Sequence, residues 1–414
     1  MRNGFPVTAL VVLAFLAWAG GDAAAQVPTN LPDEAPLTFG KTQLFPVYAV
    51  DLGWTDNLYY YPTSDDPDLQ PISTAYTSIA PGFVLEIPFS QSHARVGYVL
   101  DYRGYTTNAI DAHFDQFFVG EGEFRFANGL ELGVRDDFQQ GVLDTKVFDE
   151  GGGVTFQGDS FRSNDARVDF SHSLGTSRVL GFSAYNHRIN FIERISGYFD
   201  TNEDGADLSG QHQLAPAFRL EWELAYSRAF LTRPATAQYD AEERTEKERS
   251  WKVGGAWLLG EGSALQFRVG WQHNRTESSD PSTLQLVTGG LTYSRGVPAG
   301  AQLGVDLARD VYPAIYGQNN VYISNRLAVT FSNDPRAQVT IGASAGFWFN
   351  RFPVANPQGV TREDTTLAGG AWIGYRLGRW TIARLSVRTE HRSSTVPGFD
   401  YDVNSVEATI SLGS

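Results

Sequence analysis

From about Phe45 to Leu412 the apolar residues of this chain fall at every second position, segment after segment. In an extended strand successive side chains point to opposite faces, so a period of two gives each segment one apolar and one polar surface. Phe218, Leu220, Trp222, Leu224 and Tyr226 interleave with Arg219, Glu221, Glu223, Ala225 and Ser227. Leu265, Phe267, Val269 and Trp271 alternate with Gln266, Arg268, Gly270 and Gln272. The pattern returns at Val96, Tyr98, Leu100 and Tyr102, and again at Ile341, Ala343, Ala345, Phe347 and Phe349. Such a chain is all-β.

A soluble sandwich also alternates, so the connections decide between architectures. Tight turns are expected at Ser90–Ser92, Ala127–Gly129, Gly175–Ser177, Ala215–Ala217, Gly260–Gly262, Val297–Gly300, Asn333–Arg336 and around Gly378. Between them lie longer polar segments: Thr55–Ile72, Gln140–Asp159, Ser196–Asp207, Thr232–Glu246, Arg309–Asn320, Arg351–Asp364 and Ser393–Asn404, with shorter ones near Asn108 and Ser279. Short turns at one end and long loops at the other are the pattern of an outer-membrane barrel, with the turns in the periplasm and the loops outside. The expected fold is a transmembrane antiparallel up-and-down β-barrel of about 18 strands, with 16 as the alternative. Two segments fit least well: Gly205–Leu214, and the one after Trp380, where the parity slips between Ile382 and Leu385 in the manner of a bulge.

The N-terminus agrees with export. Arg2, the apolar run Val7–Trp18 and Ala23-Ala24-Ala25 have the layout of a secretory signal peptide, so residues 1–25 are expected to be removed. Residues 26–44 then form a periplasmic extension and residues 45–414 the barrel. The chain has no Cys, which excludes disulfides and lipidation at a cysteine. Mean hydropathy is −0.26, which a hydropathy plot reads as soluble; 13% aromatic residues and 42 Gly, in alternation, read as a barrel.

A barrel of 16 to 18 strands is too wide to be filled by its own side chains and keeps an aqueous lumen. Too few residues precede the first strand to make the folded plug of an energy-coupled receptor. The loop Gln140–Asp159, with Gly151-Gly152-Gly153, is the candidate constriction, weighed against a plain surface loop.

Function must then be sought among the inward residues. On the first half of the wall these are Arg95, Asp101, Arg103, Glu121, Glu123, Arg125, Arg135 and Arg167, facing Glu131, Asp137 and Asp169. Further along, Arg219, Glu221, Glu223, Arg268 and Arg376 join Asp306 and Arg326. Only four Lys occur, so nearly all the positive charge is guanidinium, which binds carboxylates in a bidentate way and stacks on rings. Trp348 and Trp372 at inward positions, and Tyr59, Tyr60 and Tyr61 in the first loop, are candidate sugar-stacking surfaces. Trp222, Trp257, Trp271 and Tyr375 read instead as the membrane-interface girdle. Formal net charge is −15. Asp65, Asp66 and Asp68, then Asp200, Glu203, Asp204 and Asp207, then Asp240, Glu242, Glu243, Glu246 and Glu248 are expected to make the outer rim acidic.

No catalytic set is legible. Gly342-Ala343-Ser344-Ala345-Gly346 has the spacing of a nucleophile elbow but sits inside an alternating strand rather than at a strand-to-helix turn. Asp169 and Ser171 share a face that His172 does not. Asp200, Asn202 and Asp204 before Gly205 resemble the start of a calcium loop, but position twelve is Gln211 where such a loop requires Glu. A solvated acidic turn is the simpler expectation. No cofactor signature and no nucleic-acid patch is present.

One resemblance adds to this reading. Asp56-Asn57-Leu58-Tyr59, which ends a first strand, and the hairpin Ser78–Ile87 and Val96–Tyr105 with Asp101-Tyr102-Arg103-Gly104-Tyr105, are similar to the start of the β-barrel porin 2 family. The resemblance implies a large outer-membrane barrel associated with exopolysaccharide export, with no catalytic residues. The partners it implies are outer-membrane lipid, the barrel-assembly machinery, an acidic or neutral polysaccharide and periplasmic export proteins. The chain departs from many such barrels in ending Ile410-Ser411-Leu412-Gly413-Ser414 rather than on an aromatic residue. A general diffusion porin and a surface adhesin or receptor carried on a barrel are the alternatives.

Overall fold

The computed structural model describes residues 27–28, 37–61, 70–142, 158–192, 198–235, 240–260, 262–278, 281–296, 300–314, 321–333, 337–355 and 360–412. Residues 1–25, expected to be a signal peptide, Asp65, Asp66, Asp68 and the glycine run 151–153 of the expected constriction lie outside them.

Alternation becomes a closed wall. A three-residue strand β1 (Leu37–Phe39) precedes β2 (Thr42–Thr55), β3 (Thr74–Phe89), β4 (Ser92–Tyr105), β5 (His113–Arg125), β6 (Leu130–Val142) and β7 (Ser160–Ser173). The wall continues through β8 (Arg178–Phe191), β9 (Asp200–Ala215), β10 (Phe218–Arg233), β11 (Glu242–Gly260), β12 (Ser263–Glu277) and β13 (Ser282–Gly296). It ends with β14 (Gln302–Pro313), β15 (Val321–Ser332), β16 (Val339–Ala355), β17 (Thr361–Arg376), β18 (Thr381–Ser394) and β19 (Tyr401–Leu412). Each strand from β2 onward pairs antiparallel with the next, and β19 pairs with β2 from Ser405↔Thr55 to Leu412↔Tyr48. The result is an antiparallel 18-stranded barrel with no free edge; β1 folds back on the start of β2.

Closure removes the hazard of unpaired strand edges and sorts side chains by parity. Leu52, Phe83, Leu224, Trp251, Val269, Val287 and Ile373 are exposed on the outer surface, the arrangement that hydrocarbon surroundings require. No helix among the described residues is long and apolar enough to cross a membrane; strands make the crossing. The expected tight turns at Ser90–Ser92, Ala127–Gly129, Gly175–Ser177, Ala215–Ala217 and around Gly378 connect consecutive strands at one end of the barrel; those at 260–262, 297–300 and 333–336 lie partly outside the described residues. Gly175 shows what such a turn needs: its φ of +79° is one that residues with a Cβ rarely adopt.

Several boundaries differ from the sequence reading. β2 begins at Thr42 rather than Phe45. The segments 196–207 and 232–246, read as loops, contain strand: β9 starts at Asp200, β10 runs to Arg233 and β11 starts at Glu242. β11 has 19 residues, whereas about 9–11 tilted residues cross a membrane, so its excess stands beyond the bilayer. There both faces meet water and alternation vanishes from the sequence. Nor is there a bulge near Ile382. β17 and β18 stay in register from Asp364↔Ser394 to Arg376↔Ile382, and Ile382 simply faces inward beside the turn.

Candidate functional site

Parity places every inward candidate on the lumen side, and the register brings them into pairs. At the β4–β5–β6 wall Arg95 reaches Glu121 at 3.3 Å, and Arg135 lies 3.9 Å from the same carboxylate. Asp101 is fully buried, takes a hydrogen bond from the Ser78 hydroxyl at 2.5 Å and pairs with Arg103 at 3.3 Å. Near the short turns Arg125 bridges Glu123 and Glu131, each at 3.5 Å.

A recurring unit is an Arg two residues from an acid on one strand, both pointing inward. Arg135 and Asp137 meet at 2.5 Å, Arg167 and Asp169 at 2.8 Å, and Arg219 and Glu221 at 2.5 Å. Same-face residues two apart in a strand are neighbours, so the sequence itself writes this ion pair. Between strands, Lys252 meets Glu223 at 3.2 Å, Arg268 meets Asp310 at 3.2 Å and Arg326 meets Asp306 at 2.8 Å. Arg376 sits at the turn end, where its Nη1 donates to the Arg379 carbonyl at 3.4 Å.

The two inward tryptophans differ in setting. Trp348 is nearly buried beside its register partner Arg326. Trp372 lies over Gly342, its register partner, and the Arg384 guanidinium stacks on it at 4.4 Å. Of the first-loop tyrosines, Tyr59 is buried and its hydroxyl donates to the Ala109 carbonyl; Tyr60 meets the edge of Tyr401 at 5.2 Å. Tyr59 therefore builds the mouth rather than lining it.

Sequence reading missed the loop-side half of the lumen. Arg233 and Arg244 both stack on Phe199, at 4.6 and 4.1 Å, and Arg244 also donates to the Ala314 carbonyl. Across the barrel Arg362 stacks on Phe352 at 4.4 Å and Phe399 at 3.5 Å. Arg392 lies 4.9 Å from the Tyr401 ring, whose hydroxyl donates to Glu390 at 2.6 Å. Cation over ring in a desolvated setting is worth about 2 kcal/mol, so these side chains are held rather than swinging. The signal was present: Arg244-x-Glu246, Arg362-x-Asp364 and Arg388-x-Glu390 repeat the spacing seen lower down.

A second missed feature is apolar. Phe45, Val47 and Ala49 on β2, Ala80 and Val84 on β3 and Val99 on β4 face inward and are covered by Val27. Arg95 donates to the Pro28 carbonyl beside them. Residues 27 and 28, expected in a periplasmic extension, thus lie inside the wall, because an inward apolar patch in a water-filled bore requires cover. The continuous apolar run Leu44–Val50 was its trace in the sequence.

The calcium reading does not survive. Asp200, Asn202 and Asp204 lie along β9, where alternate residues are spaced about 7 Å apart and cannot wrap one ion. Asp200 instead accepts from the Phe191 backbone N–H, and Asn202 and Asp204 both accept from Asn186. No cluster of metal-ligating side chains exists among the described residues.

No protein-family model matches the chain, and no curated protein matches its sequence. Solved structures do match. The FrpB iron transporter from Neisseria meningitidis aligns over 86% of this chain and 63% of its own, at 10% identity and a TM-score of 0.50. The ferric citrate transporter FecA aligns over 86% and 60%, at 8% identity and a TM-score of 0.51. OccK2 of Pseudomonas aeruginosa aligns over 90% and 97%, at 11% identity and a TM-score of 0.49. The chain spans under two thirds of the length of the two transporters. The likeness is one of barrel fold.

Proposed function

We propose that this chain is an outer-membrane channel that passes an exopolysaccharide outward, with its short turns in the periplasm and its long loops outside. The carrying observation is the ladder of inward guanidinium groups at Arg125, Arg135, Arg167 and Arg268, each about half exposed to the bore. A planar guanidinium suits the carboxylate of an acidic sugar. The resemblance to the β-barrel porin 2 family at Asp56-Asn57-Leu58-Tyr59 supports the same reading.

Removal of the chain from its cell is expected to abolish surface polymer. Purified barrels in planar bilayers are expected to be blocked by oligogalacturonate at lower concentration than by neutral dextran of equal length. Unchanged surface polymer after removal sinks the proposal. A second reading, a general diffusion porin, is favoured by the self-pairing of the lumen charges, such as Arg135 with Asp137 and Arg326 with Asp306. It predicts steady conductance that neither saccharide blocks preferentially.

A further inference from the structure

The outer face of β10–β13 carries a charge pattern that its own chain does not balance. Arg228 on β10, Lys247 on β11 and Arg275 on β12 are direct register partners, all outward by the parity of Leu224, Trp251 and Val269. Neighbouring strands are about 4.8 Å apart, and like charges set opposite one another destabilise a sheet. Arg249 adds a fourth cation two residues below Lys247. Glu277 takes Lys247 at 2.7 Å and Arg275 at 3.6 Å, and Asp204 lies opposite Arg228. Among the described residues neither Arg228 nor Arg249 has a carboxylate within ion-pair distance. Four positive charges against two negative leave an excess of two.

Directly below is an open apolar groove of about 480 Å³, lined by Trp251, Val269, Gly270, Trp271 and Val287. The height is telling. Lys247 is ten residues from Trp257, which lies near the short-turn end of β11. Ten residues at about 3.4 Å each, tilted by about 40°, rise roughly 26 Å, against an apolar band about 25 Å tall. The cations therefore stand where lipid headgroups begin, and the groove where acyl chains begin.

We infer that this face is a lipid-binding site for a phosphomonoester-bearing glycolipid in the leaflet at the long-loop end, with phosphate on Lys247, Arg249, Arg275 and Arg228 and an acyl chain between Trp251 and Trp271. A phosphate monoester carries about −1.5 to −2 charges near neutral pH, which matches the excess; the single charge of a phosphodiester lipid does not. The site requires only that the barrel sit in a membrane, so it stands or falls separately from polymer export.

The test is native mass spectrometry of the full, detergent-purified barrel titrated with diphosphorylated lipid A, its dephosphorylated form, phosphatidylglycerol or inorganic phosphate. Lipid A is expected to form a one-to-one adduct at a concentration at least tenfold below phosphatidylglycerol. The combined K247A, R249A and R275A variant is expected to lose that preference, while K247R retains it; Trp271→Ala weakens lipid A binding and its dephosphorylated form alike. Retention of the fast-migrating folded form in unheated detergent gels verifies that each variant is folded. Equal adducts with and without phosphate, equal adducts for the triple variant and the native chain, or binding of inorganic phosphate as tight as lipid A would each overturn the assignment.

Discussion

Asn57 shows how much one side chain at the barrel mouth can hold. It is 1% exposed, its amide donates to the Tyr61 carbonyl at 2.8 Å and the Asp402 carbonyl at 3.0 Å, and its oxygen accepts from the Tyr61 N–H at 2.9 Å. Asp56 beside it takes two hydrogen bonds from Asn404, each 2.7 Å. Each such bond contributes about 1 kcal/mol, so Asn57→Ala is expected to cost about 3 kcal/mol, read as a lower temperature of conversion from the folded to the unfolded gel band. An unchanged temperature would refute the latch. Tyr59 gives a pH test. Burial, and then the nearby Tyr61, push its phenol above the ordinary value of 10.0. The folded protein keeps that proton longer than the unfolded chain, so the contribution is complete below about pH 10 and is lost as pH rises through the folded value. Tyr59→Phe is expected to reduce the alkaline fall in stability, followed by unfolding midpoints from pH 8 to 11. The Asp-Asn pair was visible in the sequence, but its work was not, since its partners on β19, Asp402 and Asn404, lie some 345 positions away.

Strands show a different economy, in which a glycine on one faces an aromatic on the next. Gly53 lies opposite Tyr76, Gly205 opposite Tyr185, Gly210 opposite Trp222 and Gly342 opposite Trp372. A Cβ on Gly342 would stand 2.4 Å from the Trp372 ring, so the ring lies flat across the space the glycine leaves. Gly342→Val is expected to dislodge Trp372, and with it the stacked Arg384, at a cost of about 1–3 kcal/mol. Comparing the gel-shift temperatures of Gly342→Val, Trp372→Ala and the double variant tests this: the valine is predicted to cost far less once Trp372 is gone. Strand faces were legible because parity is local, as at Leu265–Gln272 in β12. Strand ends were not. At β9 and β11 the wall outgrows the bilayer, and residues such as Asn202, Glu243 and Arg244 look like loop although they are sheet.

At the scale of the whole barrel, the lumen has two unlike ends. Arg125, Glu123 and Glu131 near the short turns are more than half exposed, whereas Arg244 near the loops has no exposed side-chain surface. Side chains are thus packed more closely at the loop side, while Val27 lies against the middle and short-turn half of β2–β4. Val27→Asp would place a charge on an apolar patch and is expected to release residues 27–28 and raise single-channel conductance in planar bilayers. Equal conductance for native and variant would show that they do not narrow the path. Fold class and lumen side were both written in the period of two. The Phe199 and Phe352 stations were not, because they depend on the register of neighbouring strands: Phe352 is the partner of Arg362 across β16 and β17, and Phe199 beside β9 meets Arg233 on β10 and Arg244 on β11. Closure has a consequence in time as well as in space. The seam joins β2 to β19, so the first strand made waits for the last, and Asp56 for Asn404. Until then the chain carries two bare edges, each able to pair with a neighbouring copy, and whatever escorts it through the cell envelope must hold those edges apart to the end of the sequence.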